Sequence, residues 1–153
     1  MCVDDNLKEM VYHFFFVFSR FEFALKEAGY RRKGKYESVE ADWPKFKTDY
    51  EATYAADYSA QELFKSPPRK QYLRNDNRLD WRDLSFGSKD SDLKKIISVI
   101  KTVRNNLFHG GKHGDSSWDD SVRVRFLLKN SISIIEILAE LNNDVWTHYR
   151  GEY

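Results

Sequence analysis

Residues suited to phosphate and acid–base chemistry crowd into one stretch of this chain: Lys101, Arg104, Asn105, His109 and Lys112, with His113 one step beyond. An imidazole, whose ordinary pKa is about 6.5, serves as acid or base near neutrality. A guanidinium is planar and permanently charged, and it stabilises a developing oxyanion through paired hydrogen bonds. Phosphodiester transfer needs these parts: an acceptor for the attacking hydroxyl's proton, a donor for the leaving oxygen, and a cation for the charge between them. His109 and His113 stand four apart, as helical metal ligands do, but Gly110 and Gly111 interrupt that helix and no cysteine completes a set. No metal and no cofactor is expected. Neither a Gly-x-Ser-x-Gly elbow nor a Walker-type phosphate loop occurs.

The local pattern constrains how these groups meet. Leu93, Ile96, Ile97, Ile100, Val103 and Leu107 form a helical stripe that Gly110-Gly111 ends. At about 100° per residue, Arg104 falls inside that apolar arc. It must pair with a carboxylate such as Glu22 or Glu136, or line a cleft or a subunit contact. Asn105 and His109 share a face, while His109 lies about 140° around from Arg104 on an ideal helix. They converge only if the helix unwinds near the glycines, if the arginine bends, or if two chains contribute.

Four helices are expected to carry this segment. Leu7, Met10, Val11, Phe14, Val17, Phe18, Phe21, Leu25 and Ala28 make one apolar face of the first, and Gly29 stops it. Tyr12, Phe16 and Phe23 lie opposite, so that second face is covered either by the chain itself or by another subunit. A basic loop, Tyr30 to Lys35, follows. Asp42 and Pro44 open a second helix expected to run from Trp43 to about Phe64, closed by Pro67-Pro68. From there to Gly87 the periodicity is poor, and a short hairpin is expected around Asn75-Asp76-Asn77. The third helix starts near Ser88 to Ser91, and the last is expected from about Trp118 to Tyr149. The fold class is therefore all-α, an antiparallel four-helix bundle with a long excursion between helices 2 and 3, in a single domain over 1–153.

Arg104-Asn105-Asn106-Leu107-Phe108-His109 resembles the Arg-x(4–6)-His motif of HEPN domains, placed late in the third helix as in that family. The first helix around Phe18 to Lys26 and the stretch Pro67 to Tyr72 are similar to small stand-alone bacterial HEPN proteins. The resemblance implies metal-independent RNA cleavage by a homodimer, with two motif copies facing one composite cleft. It implies Arg104 as electrostatic stabiliser, His109 as acid or base, and Asn105 orienting the phosphate or His109. It also implies a toxin or a defence effector against phage or mobile elements, with an antitoxin or defence-system partner. Gly111 stands where some HEPN toxins carry a modified tyrosine, so that route of neutralisation is not expected.

Lys101, Lys112, His113, Arg69 and Lys70 are candidate contacts to substrate phosphates. Tyr72 and Trp81, set among arginines, either stack on unpaired bases or anchor the excursion. His13, between Tyr12 and Phe14, reads as a packed or hydrogen-bonded histidine rather than a catalyst. Two other functions fit the same residues: a non-catalytic RNA- or nucleotide-binding module, and a helical dimeric interaction protein.

Composition narrows the partners. The chain has 153 residues, 41% hydrophobic and 32% charged, with eleven Phe, nine Tyr and four Trp arguing against disorder. One cysteine excludes an internal disulfide framework. No apolar run spans a bilayer, and Asp4 and Asp5 oppose a signal peptide, so a cytoplasmic protein is expected. The net charge is only +1. By segment, however, residues 29–36 carry +4, 63–88 carry +3 and 89–114 carry +4, while 37–62 carry −5. That pattern excludes a cationic coat and leaves room for a focused basic cleft that takes RNA.

Overall fold

The computed structural model describes residues 4–109 and 121–151. The protein is mostly helical, with two small antiparallel sheets among the described residues. Helix α1 spans Asp5–Glu27, and Asp4 caps it by accepting from the Leu7 amide at 2.8 Å. Gly29, at φ 93°, turns the chain out of α1, and the Tyr30 amide closes onto the Leu25 carbonyl at 2.8 Å.

The basic stretch after α1 is a hairpin rather than a plain loop. Strand β1 (Arg31–Lys33) pairs with β2 (Val39–Ala41), Arg32 opposite Glu40, across a 3₁₀ turn at Lys35–Glu37. Its cations meet acids of the same hairpin, Arg32 with Glu40 at 3.4 Å and Lys33 with Glu37 at 3.2 Å. Positive φ at Tyr36 and Glu37 forms the turn without a glycine there, which is why residue type alone concealed it.

The expected second helix is two helices, α2 (Trp43–Tyr50) and α3 (Tyr58–Lys65). Asp42 caps the first through the Lys45 amide at 3.0 Å, and Asp57 starts the second through the Ala60 amide at 2.9 Å. The excursion that follows is the expected hairpin, β3 (Arg69–Leu73) against β4 (Leu79–Asp83), with Asn77 at φ 65° in its turn. Helix α4 (Asp92–Phe108) is capped by Ser91. The expected last helix is again two, α5 (Ser121–Glu140) and α6 (Asn143–Arg150), because Asn142 adopts extended backbone and caps α6 through the Val145 amide at 3.0 Å.

Helix α1 packs against α5 and α6, and α4 packs against α3 and α5. Phe14, Phe21 and Leu25 from α1, Ile96 and Ile100 from α4, and Leu128 and Ile134 from α5 are fully buried in one core. Burying a side chain of this size stabilises by roughly 1.5–3 kcal/mol. Among the described residues no helix is long and apolar enough to cross a membrane.

The opposite face of α1 is left uncovered at its middle. Tyr12 is 77% exposed and Phe16 65%, whereas Phe23 packs beneath the Arg20 guanidinium at 5.0 Å. His13 is exposed, not packed.

Candidate active site

Arg104 sits one turn before the end of α4, on the arc that faces α1. Its guanidinium lies over the Phe18 ring at 5.2 Å, and Nε is buried without a hydrogen-bond partner. Among the described residues no carboxylate pairs with it: Glu136 is exposed on α5, and Glu22 receives the Trp43 indole N–H at 2.8 Å. Of the alternatives open to an arginine in an apolar arc, the described residues therefore show a cleft.

That cleft has a volume of about 570 Å³. Helix α1 lines it with Tyr12, Phe15, Phe16, Phe18, Ser19 and Glu22, and the end of α4 supplies Arg104, Phe108 and His109. His109 is the C-cap residue of α4, at φ −96° and ψ 20°, off the helical path. The His109 amide still closes onto the Asn105 carbonyl at 3.0 Å, so the residue keeps its helical place about 140° around from Arg104 and reaches the arginine's cleft from the helix tip, where both motif residues border one space. Phe15 and Phe108 meet edge to face at 4.5 Å and wall the histidine's end.

Behind His109 lies a second, smaller cavity of about 180 Å³. Asn105 lines this one rather than the arginine's cleft, together with Thr102, Asn106, Lys70 and Gln71. His109 borders both spaces, with Asn105 and Lys70 on one side and Arg104 on the other.

The remaining candidates divide. Lys70 reaches the histidine's rear cavity. Arg69, its neighbour on β3, points elsewhere, donating to the Trp81 carbonyl at 3.2 Å and standing 3.6 Å from Asp83. Lys101 lies a turn before Arg104, with its ammonium 4.9 Å over the Trp43 ring, beside a groove shared with Lys47. Burial pushes its pKa below the ordinary lysine range, as do the nearby charges of Arg104 and Arg32, while the Glu22 carboxylate opposes the shift. Lys70 of the second hairpin thus approaches the end of α4, while the charge of Arg32 on the first acts on Lys101. Lys112 and His113 lie outside the described residues. Tyr72 is covered by Arg82 at 4.9 Å, and Trp81 packs against the core as an anchor.

Two contributors escaped the sequence reading. Asn106 is buried at 5% exposure and donates to the Arg69 carbonyl at 2.8 Å, tying the basic hairpin to the tip of α4. Its place in the apolar stripe beside Val103 and Leu107 was the available signal. The other is Glu22 as a wall of the cleft rather than a partner of Arg104. Comparisons of the chain with protein-family models, with curated proteins and with solved structures found no match.

Proposed function

We propose that this chain is a HEPN-type endoribonuclease that cleaves RNA without a metal ion, using a helical bundle to hold Arg104 and His109. The observation that carries this reading is that both residues border one cleft, although they are set well apart around α4. Supporting it, Lys70 stands behind the histidine, and Arg104 lines the cleft with no carboxylate partner among the described residues. A guanidinium on a cleft wall with no carboxylate beside it suits an anion that arrives with substrate.

In the reaction, a ribose 2′-hydroxyl attacks the adjacent phosphorus and its proton passes to a base. The P–O5′ bond breaks, and an acid returns a proton to the leaving 5′-oxygen. Products are a 2′,3′-cyclic phosphate and a 5′-hydroxyl end. His109 acts as acid or base, and Arg104 offsets the additional negative charge of the phosphorane. Asn105, beside His109 in the rear cavity, orients the imidazole. The second proton carrier comes from another copy of the chain. A toxin or defence effector, held by a partner protein, is the biological role that this chemistry serves.

The test is cleavage of RNA by purified protein in EDTA. His109→Ala is expected to lower the rate about 10²- to 10⁴-fold and Arg104→Ala about 10²- to 10³-fold. Undiminished cleavage by His109→Ala overturns the proposal. RNA bound but uncut by the unaltered protein identifies a non-catalytic binding module instead.

A further inference from the structure

We propose that Glu22 makes this cleft select a guanine base beside the phosphate held at Arg104 and His109. The phosphate half rests on the nucleolytic reading above; the base half does not.

Helices α1 and α4 pass the cleft in antiparallel register. Phe15 meets Phe108, Phe18 lies under Arg104, and the Glu22 charge reaches Lys101. The cleft therefore has an order: His109 among aromatic rings at one end, Arg104 in the middle, and Glu22 at the far end. Glu22 follows Phe18 by one turn, about 6 Å along the helix axis. A phosphate at Arg104 thus leaves one neighbouring nucleoside facing Glu22 and the other facing the rings of Tyr12, Phe16 and Phe108. Those exposed rings offer stacking to any base, without choosing among them.

Glu22 is the group that discriminates. Its Oε1 receives the Trp43 N–H at 2.8 Å, and Trp43 is itself 4% exposed and packed on Phe18 and Phe21. The carboxylate is therefore held in place by a buried positioning residue. No other hydrogen bond or ion pair engages it among the described residues. An ionised carboxylate only accepts, and each oxygen accepts twice. On the Watson–Crick edge, guanine alone presents two adjacent donors, N1–H and the 2-amino group. Adenine and cytosine set a donor beside an acceptor, and uracil sets its one donor between two carbonyls. A fixed acceptor-only pair matches guanine and leaves each other base with an unpaired or repelled group.

The experiment measures binding of the four ribonucleoside 5′-monophosphates and of inosine monophosphate by calorimetry, to the unaltered protein and to Glu22→Gln. Mononucleotides hold no bond to cleave, so this readout is independent of catalysis. The expected result is GMP bound on the order of 10- to 100-fold more tightly than AMP, CMP or UMP. Inosine monophosphate, which lacks the 2-amino donor, is expected between them. Glu22→Gln is expected to erase the difference. Equal binding of the four nucleotides by the unaltered protein overturns the inference, as does a guanine preference that survives Glu22→Gln. Cleavage at all bases alike, with equal nucleotide binding, removes the guanine selection and leaves the ribonuclease; guanine-selective binding without RNA cleavage removes the ribonuclease and leaves Glu22 as the base reader.

Discussion

Replacing Arg104 by methionine is expected to remove function and raise stability together. The side chain sits in the apolar arc of α4 with Nε buried and unpartnered, its charge balanced among the described residues by no carboxylate. Leaving a buried donor unsatisfied costs about 1–3 kcal/mol. The attraction of the guanidinium to the Phe18 ring at 5.2 Å returns about 0.5–1 kcal/mol. Methionine reaches as far as the Nε position and keeps the apolar contact of the stem while removing both terms, so Arg104→Met gains about 1 kcal/mol. For a domain of this length that corresponds to a rise of about 2–4 °C in Tm. The assay is thermal unfolding followed by far-UV circular dichroism at neutral pH and low salt, alongside RNA cleavage. Arg104→Lys serves as the control that keeps the charge and loses the planar fork. A fall in Tm of more than about 3 °C for Arg104→Met would refute the reasoning, because it would mean that the arginine holds the fold together rather than waiting for an anion.

Two further outcomes concern contacts away from the arginine. Asn106→Ala removes the bond to the Arg69 carbonyl and is expected to cost about 1–3 kcal/mol. Hydrogen exchange should quicken selectively across β3 and β4, and an even change over the whole chain would show that Asn106 does not tether the hairpin. The second concerns acid stability: Arg125 donates to both carboxylate oxygens of Asp4 at 2.8 and 2.7 Å, and that bond, with the Leu7 amide, holds the Asp4 carboxyl below its ordinary 3.8. A depressed folded-state pKa gives stability that is present above the unfolded value and lost as pH falls through the folded one. Asp4→Asn keeps a capping oxygen but drops this linkage, so its Tm is expected to fall less steeply than that of the unaltered protein as pH is lowered below about 4; parallel acid limbs would show that the pair contributes nothing.

Several of the elements that surround the site were legible in the sequence because they are governed by local signals. The apolar stripe from Leu7 to Ala28 is one face of α1, and the stripe from Leu93 to Leu107 is α4 to within a residue or two. Asn75-Asp76-Asn77 marked a true hairpin turn. The two helices read as continuous were broken by caps whose side chains look unremarkable in an amphipathic run. Asp57 and Asn142 each lie three residues before the amide they bind, and periodicity continues across both breaks. The cleft itself was only half legible. Arg104 in an apolar arc announced that something polar had to face it, and the structure shows the space. That Glu22 would turn toward Trp43 instead depended on an indole 21 residues away, which no helical spacing encodes. The first hairpin was missed because its turn uses Tyr36 and Glu37 at positive φ, where glycine or asparagine ordinarily signals the bend.

The place of His109, at the cap of α4, ties both halves of the motif to one helical register. Within α4, each residue inserted ahead of Arg104 would swing it by about 100° and carry it 1.5 Å along the axis, out of the cleft and into the core or the solvent. The residues between Arg104 and His109 are helical too, and the His109 amide still bonds the Asn105 carbonyl at 3.0 Å, so a residue added there would turn the histidine by the same step. That register is held by the buried Val103 and Leu107 and, at the histidine's end, by the contact of Phe15 with Phe108. A site assembled in this way changes as one piece: an insertion or deletion between its cation and its proton carrier turns one of them out of the space they share.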